Sequence, residues 1–468
     1  MHKLLLTGGF AAAFFAASAS AQDARNVTEP VIPQYCAVIE ARLTSAKEGP
    51  YDTLHADDEY KLDTQRIQDA IDACPKGKAV ALRARNSANA FLSGPLMLRE
   101  AITLVVEKGA TLFASIDPNV FAISPGSCGI VNNTHTAGCK PLIAVDNVSG
   151  AGVMGDGVID GRGGIKQLGG EFSAWDIAQL SDRGRKALSR LIVANHADNF
   201  TLYDITLRNS PNFNVSYNAG DGFTAWGVRI ETPHRYPRSE KPLARNTDGI
   251  DPGNGSKNIT ITHSFIRTGD DNIAIKGGKG GLTNMTVSHN HFYWGHGMSI
   301  GSETYGGVSK VRVFDLTLDG TDSGIRIKSA GDRGGLVADV SYDDICVRNS
   351  ASPINLTAFY EDGKGATTRL PTFRDITLHN VTIAGGGKLV INGFDHDHRI
   401  QTTLDGVFLA DASGQGYEYT LAHGDVIIGK GGSNVSLPAG TDATLTGTPT
   451  SSAGDSSSCN NRFVPFPE

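Results

Sequence analysis

The sequence predicts an all-β chain wound as a right-handed parallel β-helix, with one capping helix at its N-terminal end. Three observations carry that expectation. Glycine supplies 56 of 468 residues and only 19% are charged, against roughly 7% and about 25% in average chains, a balance that favours turns and strands over helices. Apolar residues make up 40%, enough for a core, which excludes disordered, collagen-like and coiled-coil chains. Short runs of Val, Ile, Thr and Phe recur with a period in the twenties, the signature of a solenoid whose coils stack strand on strand. Leucine-rich repeats share that period, but their regular Leu/Asn pattern is missing.

Residues 1–21 read as a secretory signal: a basic start at His2 and Lys3, an apolar stretch from Leu4 to Ala17, and the small-x-small site Ala19-Ser20-Ala21. The apolar stretch falls short of the roughly 20 residues that span a bilayer. The protein is therefore expected to be secreted to the extracellular space, with periplasmic passage, and to have no membrane partner. Export makes six cysteines informative, since an even count in an oxidising compartment favours disulfides. Cys128 and Cys139 flank a Gly/Asn/Thr loop, while Cys36 with Cys74 and Cys346 with Cys459 would tie down the two ends; 15 pairings are open to six cysteines.

Leu62 to Cys74 places Ile67, Ala70, Ile71 and Cys74 on one helical face, with Asp63 or Thr64 as cap. A second helix is expected between Ser173 and Ala187. Beyond these, Asn199-Phe-Thr-Leu, Gly222-Phe-Thr-Ala, Asn258-Ile-Thr-Ile, Asn284-Met-Thr-Val, Lys310-Val-Arg-Val and Asp339-Val-Ser-Tyr align at intervals of 23, 36, 26, 26 and 29 residues. A second register repeats independently: Gly249-Ile-Asp-Pro, Asn272-Ile-Ala-Ile, Gly297-Met-Ser-Ile, Gly324-Ile-Arg-Ile and Pro353-Ile-Asn-Leu. Length alone suggests three domains, but stacked coils make residues 22–468 one elongated domain. The helix caps its open apolar end.

The second register brings chemistry together. Two positions before each first inward residue stand Asp248, Asp271, His296, Ser323 and Ser352, one strand step of about 4.8 Å apart. Asp270 sits beside Asp271. Arg326 and Lys328 fall on the outward face of the fourth coil, and Lys276 lies in the Lys328 column. A net charge of −7 excludes a nucleic-acid partner, yet this local basic patch beside carboxylates suits a carboxylate-bearing substrate. Paired carboxylates flanking a bond are glycosidase chemistry. Crowding them raises at least one pKa and keeps one acid protonated. The long interval inserts Pro233 to Arg245, a candidate groove wall.

Other features read as structural. Asp251 beside Pro252 reads as a backbone-bonding turn residue, and the Asn-x-Ser/Thr triplets at Asn199, Asn258 and Asn284 read as turn chemistry rather than glycosylation sites. His396 and His398 lack a third ligand, and no Cys/His cluster has zinc spacing. No metal or cofactor is expected.

These residues resemble glycoside hydrolase family 28, the polygalacturonases, whose fold is a right-handed parallel β-helix. Four family signatures occur in order: Asn246-Thr247-Asp248, Gly269-Asp270-Asp271, Gly295-His296-Gly297 and Arg326-Ile327-Lys328. The run from Gly297 to Glu303 looks like secreted bacterial endo-polygalacturonases. The resemblance implies endo-acting hydrolysis of polygalacturonate with inversion, and a monomer is expected. It makes Asp270 the general acid, Asp248 and Asp271 the water-activating carboxylates and His296 the support of the acid. Arg326, Lys328 and Tyr360 become substrate-binding residues, and Lys276, by its column, and Asn246, beside Asp248 in its motif, are read as substrate-binding with them. An exo-acting polygalacturonase, a pectate lyase and, more distantly, a non-catalytic carbohydrate-binding solenoid are the competing expectations. The stretch before Asp63 has no assigned role.

Overall fold

The computed structural model describes residues 22–49, 51–132, 138–180, 185–234, 244–360, 367–410, 416–436, 438, 442–450 and 457–467. The expected signal segment, the tip of the Cys128–Cys139 loop and most of the Pro233 to Arg245 wall lie outside them. Thirty strands join one sheet, and its ladders are parallel from coil to coil. The chain thus winds as a parallel β-helix.

Both repeat registers hold. Phe200, Phe223, Ile259, Met285, Val311 and Val340 pair in succession, as do Ile250, Ile273, Met298, Ile325 and Ile354. All are buried and belong to one continuous core. Each coil sheds its apolar face against its neighbours, because alternate side chains in a strand point to opposite sides. The repeat-starting residues Asn199, Asn258, Asn284, Lys310 and Asp339 all adopt left-handed φ, between 51° and 57° except for 59° at Asn284. Asn tolerates that region best among residues with a side chain, and its amide then ladders between coils: Asn284 Nδ2 donates to Asn258 Oδ1 (3.2 Å), and Asn258 Nδ2 to Asp221 Oδ1 (2.6 Å). The triplets are turn chemistry in this fold.

The N-terminal helix spans Thr64–Ala73 and buries Ile67 and Ile71 in the core. Its capping differs from expectation. Asp63 occupies the cap position without a cap bond; its carboxylate accepts instead from Leu92 N and Arg66 Nε, and Thr64 Oγ1 accepts from Gly94 N. The side chains anchor the helix to the coils. The second helix is shorter than expected, Ala174–Gln179, closed by a capping box at Ser173 and Asp176. Arg185–Ala187 is not helical but pairs antiparallel with Ile130–Asn132.

Cys36–Cys74, Cys128–Cys139 and Cys346–Cys459 are all disulfide-bonded. The two ends of the chain return along the outside of the stack. Asp23 bonds Thr286 and Thr260, Arg25 bonds the Phe223 carbonyl, and Glu29 accepts from Tyr203 Oη, so residues 23–29 are a strap across several coils, while Tyr35–Glu40 pairs with Ala79–Arg83 in the sheet. At the other end Arg462 bonds Asp315 and the Asp344 carbonyl, Tyr293 Oη bonds the Val464 carbonyl, and Arg267 stacks on Phe466. No helix among the described residues is long and apolar enough to cross a membrane.

Candidate active site

Five consecutive strands carry the candidate residues: Ile250–Gly253, Ile273–Ile275, Met298–Ile300, Ser323–Lys328 and Ser352–Thr357. Their inward Ile and Met side chains lock the register, so the positions just before and between them form fixed columns. Close coil-to-coil approach demands glycine: Gly297 sits at φ 77°, and a Cβ there would collide with the Ser323 carbonyl. That is why His296 is flanked by glycines.

Asp248, Asp270 and Asp271 converge, each offering an oxygen within 4.8 Å of the others. Asp271 is buried and held by three donors: Lys328 Nζ at 2.7 Å, Ser299 Oγ at 2.8 Å and Arg326 Nη1 at 3.0 Å. Burial would raise its pKa, but Lys328, Lys276 and Arg326 overcome that and lower it to about 2. Asp271 is therefore a carboxylate at any working pH. Asp270 is partly exposed and accepts from the backbone N–H groups of Asn246 and Asp271, both at 3.0 Å. His296 Nε2 lies 3.8 Å from Asp270, and its Nδ1 lies 3.1 Å from Asp322. Burial pulls the imidazole pKa down, but the Asp322 hydrogen bond and the charges of Asp270 and Asp271 outweigh it, and the pKa is raised.

Asp248 is also buried, with Oδ1 unpartnered and Oδ2 3.9 Å from Lys276. Desolvation, then the Asp251 and Asp270 charges, push its pKa well above the carboxylate range. Burial and crowding thus disfavour ionisation at both Asp248 and Asp251.

Asp251 corrects the sequence reading. It lies on a strand rather than in a turn, is buried, makes no hydrogen bond with either oxygen, and sits 3.9 Å from Lys276. Burial raises its pKa to about 7. Pro252 misled because it reads as a turn signal, whereas here it sits within the strand. Lys276 bridges Asp248, Asp251 and Glu303 at 3.8–3.9 Å; desolvation is outweighed by these anions, and its pKa is raised.

The basic residues also differ from the expected separate patch. Lys328 is buried, and both Lys328 and Arg326 are engaged by Asp271. Donors are left over: Arg326 Nε is buried without a partner, and one Asp271 oxygen occupies only part of what an ammonium offers. Tyr360 lies beneath both cations, 4.7 Å from Lys328 Nζ and 5.5 Å from Arg326 Cζ. Asn246 is exposed beside Asp270, which it reaches through its amide. Asp322, Glu303 and Ser299 were missed by the sequence reading. Asp322 immediately precedes the Ser323 column position, and Ser299 shares the Arg326 column, so the register would have found both.

A parallel β-helix bearing three convergent carboxylates, a histidine and paired cations on one face is a glycoside-cleaving enzyme of the acid/base kind. Comparison with known proteins makes this specific. Residues 74–419 match the model for Glycosyl hydrolases family 28, and the chain belongs to that family. It is 42% identical over 405 residues to an endo-polygalacturonase of Pectobacterium carotovorum subsp. carotovorum, covering 85% of this chain and 92% of the relative. A polygalacturonase of Ralstonia nicotianae is 37% identical over 501 residues, covering 94% and 92%. The solved polygalacturonase from Erwinia carotovora ssp. carotovora superimposes with a TM-score of 0.75 at 39% identity, covering 85% of this chain and 98% of its own.

Proposed function

We propose that this enzyme hydrolyses α-1,4-galacturonosyl linkages inside de-esterified pectin chains, as a secreted monomer whose residues 22–468 form one catalytic domain. The observation that carries this reading is the convergence of Asp248, Asp270 and Asp271 beside cations with donors to spare. A uronate carboxylate takes the free Arg326 and Lys328 donors over Tyr360, which sets an uncharged glycosidic bond against the aspartates. Asp270, the most accessible of the three, protonates the leaving oxygen. Asp271, held as a carboxylate in the resting site, accepts the proton of the attacking water, and Asp248 orients that water. His296, whose protonated form Asp322 favours, restores the proton of Asp270. Inversion follows if the water attacks the face opposite Asp270. The nearest oxygens lie closer than the roughly 6.5–9.5 Å usual between inverting carboxyl groups, so NMR of the first-formed reducing ends is informative: β anomers support inversion and α anomers overturn it.

Time-resolved product analysis on polygalacturonate tests the whole reading. Mixed oligomers with a fast viscosity drop are expected. Monomer or dimer from the first time point would make the enzyme exo-acting; unsaturated products that absorb in the ultraviolet, or loss of activity on Ca²⁺ chelation, would make it a lyase. Asp270→Asn should lower kcat by about 10²–10⁴-fold, the usual worth of a positioned acid, with polymer binding retained. An unchanged rate would remove Asp270 from the mechanism.

A further inference from the structure

On the other side of the aspartates the columns carry a second set of substrate-type groups. Ile192 pairs with Val215 and Val215 with Ile250, so Phe213 and Arg190 occupy the Asp248 column one and two coils earlier. The Arg190 guanidinium lies 4.7 Å from the centre of the Phe213 ring, and Lys276 Nζ lies 6.0 Å from the same centre. Arg190 keeps exposed surface yet is desolvated by its surroundings, which lowers its pKa, while the Asp251 and Asp248 charges act against that; among the described residues it forms no ion pair. Beside it, Ser216 pairs with Asp251. Both are buried, at 3% exposure each, and Ser216 Oγ and both Asp251 carboxylate oxygens have no hydrogen-bond partner. Buried polar atoms left unpaired inside a native fold are costly and call for a partner.

Building on the hydrolase reading above, we propose that Arg190, Phe213, Ser216 and Asp251 form a second uronate subsite, with Arg190 binding the carboxylate, Phe213 supporting the sugar ring, and Ser216 with Asp251 bonding its hydroxyls. Arg190 and Arg326 are five strand steps apart, roughly 24 Å at about 4.8 Å per step. That span requires several sugar units and two free carboxylates at once. The consequence is selectivity for runs of unesterified uronate, since a methyl ester at either position removes the anion its arginine binds.

The test compares Arg190→Gln and Arg190→Lys with wild type on long polygalacturonate and on the shortest oligogalacturonate that wild type cleaves. With R190Q, kcat/KM on the polymer should fall about tenfold or more, the worth of one charge-assisted contact. The short oligomer should change less than twofold, and R190K should recover part of the loss. Sensitivity to partial methyl-esterification should fall in R190Q. Equal effects on both lengths, or no effect while wild type cleaves both, overturn the subsite and leave the hydrolase reading intact. If wild type releases no reducing ends from any uronate polymer, the hydrolase reading fails and the subsite fails with it. Matching thermal unfolding of R190Q and wild type excludes misfolding as the cause.

Discussion

At the residue scale, the site is a charge lattice in which each group's proton is set by its neighbours. His296 has a raised pKa because Asp322 and the aspartates outweigh burial. A raised imidazole keeps its proton until pH climbs through the folded value. Asp322→Asn removes one support, so the alkaline limb of the kcat profile should move to lower pH; a limb that stays in place would exclude His296 as the proton source for Asp270. Asp251 acts with the same sign as a stability determinant. Its folded pKa of about 7 exceeds the ordinary carboxylate value, so the folded state binds an extra proton between about pH 4 and pH 7 and loses stability as pH rises through that window. Asp251→Asn cannot ionise. Its stability relative to wild type should therefore rise from pH 4 to pH 7 by about 2–4 kcal/mol, measurable by denaturant unfolding at both pH values. An unchanged difference would mean that Asp251 is ionised in the fold.

At the scale of the element, the strand and its preceding turn are the unit that repeats. Asn258 holds φ 56° and links two coils through its amide. Asn258→Ala keeps the strained backbone but loses the ladder, at a cost of about 1–2 kcal/mol, whereas Asn258→Gly relieves the φ strain and should cost less; the reverse order in thermal melts would contradict this account. The same unit explains what was legible beforehand. Coils spaced in the twenties, with inward Ile and Met at fixed positions, dictate which residues become neighbours, so the Asp248, Asp271 and His296 column could be read without any coordinates. Asp251 was lost because a proline beside it imitates a turn. Arg190 escaped because the repeat that marks the outward column is recognisable only from Gly249 onward, two coils beyond it. The protonation pattern was not legible at all, since it depends on burial and on which cation reaches which oxygen.

At the scale of the whole molecule, the parallel stack accounts for the chain's length, and the ends account for its closure. The strap contacts join residues far apart in sequence and follow no period, so no pattern announced them. Cys346–Cys459 closes a separation of 113 residues, and the chain-entropy account assigns about 4–5 kcal/mol to a loop of that order. Cys459→Ser should lower the thermal midpoint and open the peptide bond after Arg462 to trypsin. Polygalacturonate hydrolysis at 25 °C should stay within twofold of wild type, because the strap lies on a different face of the coil from Ile273–Ile275. A large loss of activity in the folded variant would show that the tail shapes the groove.

Those straps have one more effect. A stack in which each coil touches only its neighbours is free to fray from either end. Here the N-terminal strap reaches as far as Thr286 and the C-terminal strap runs back to Arg267, so they overlap across the coils that bear Asp270, Asp271 and His296. The overlap works as a lap joint. Whichever end loosens first, the catalytic coils stay clamped by the strap from the other end, so the part of the molecule that does the chemistry is the last to open.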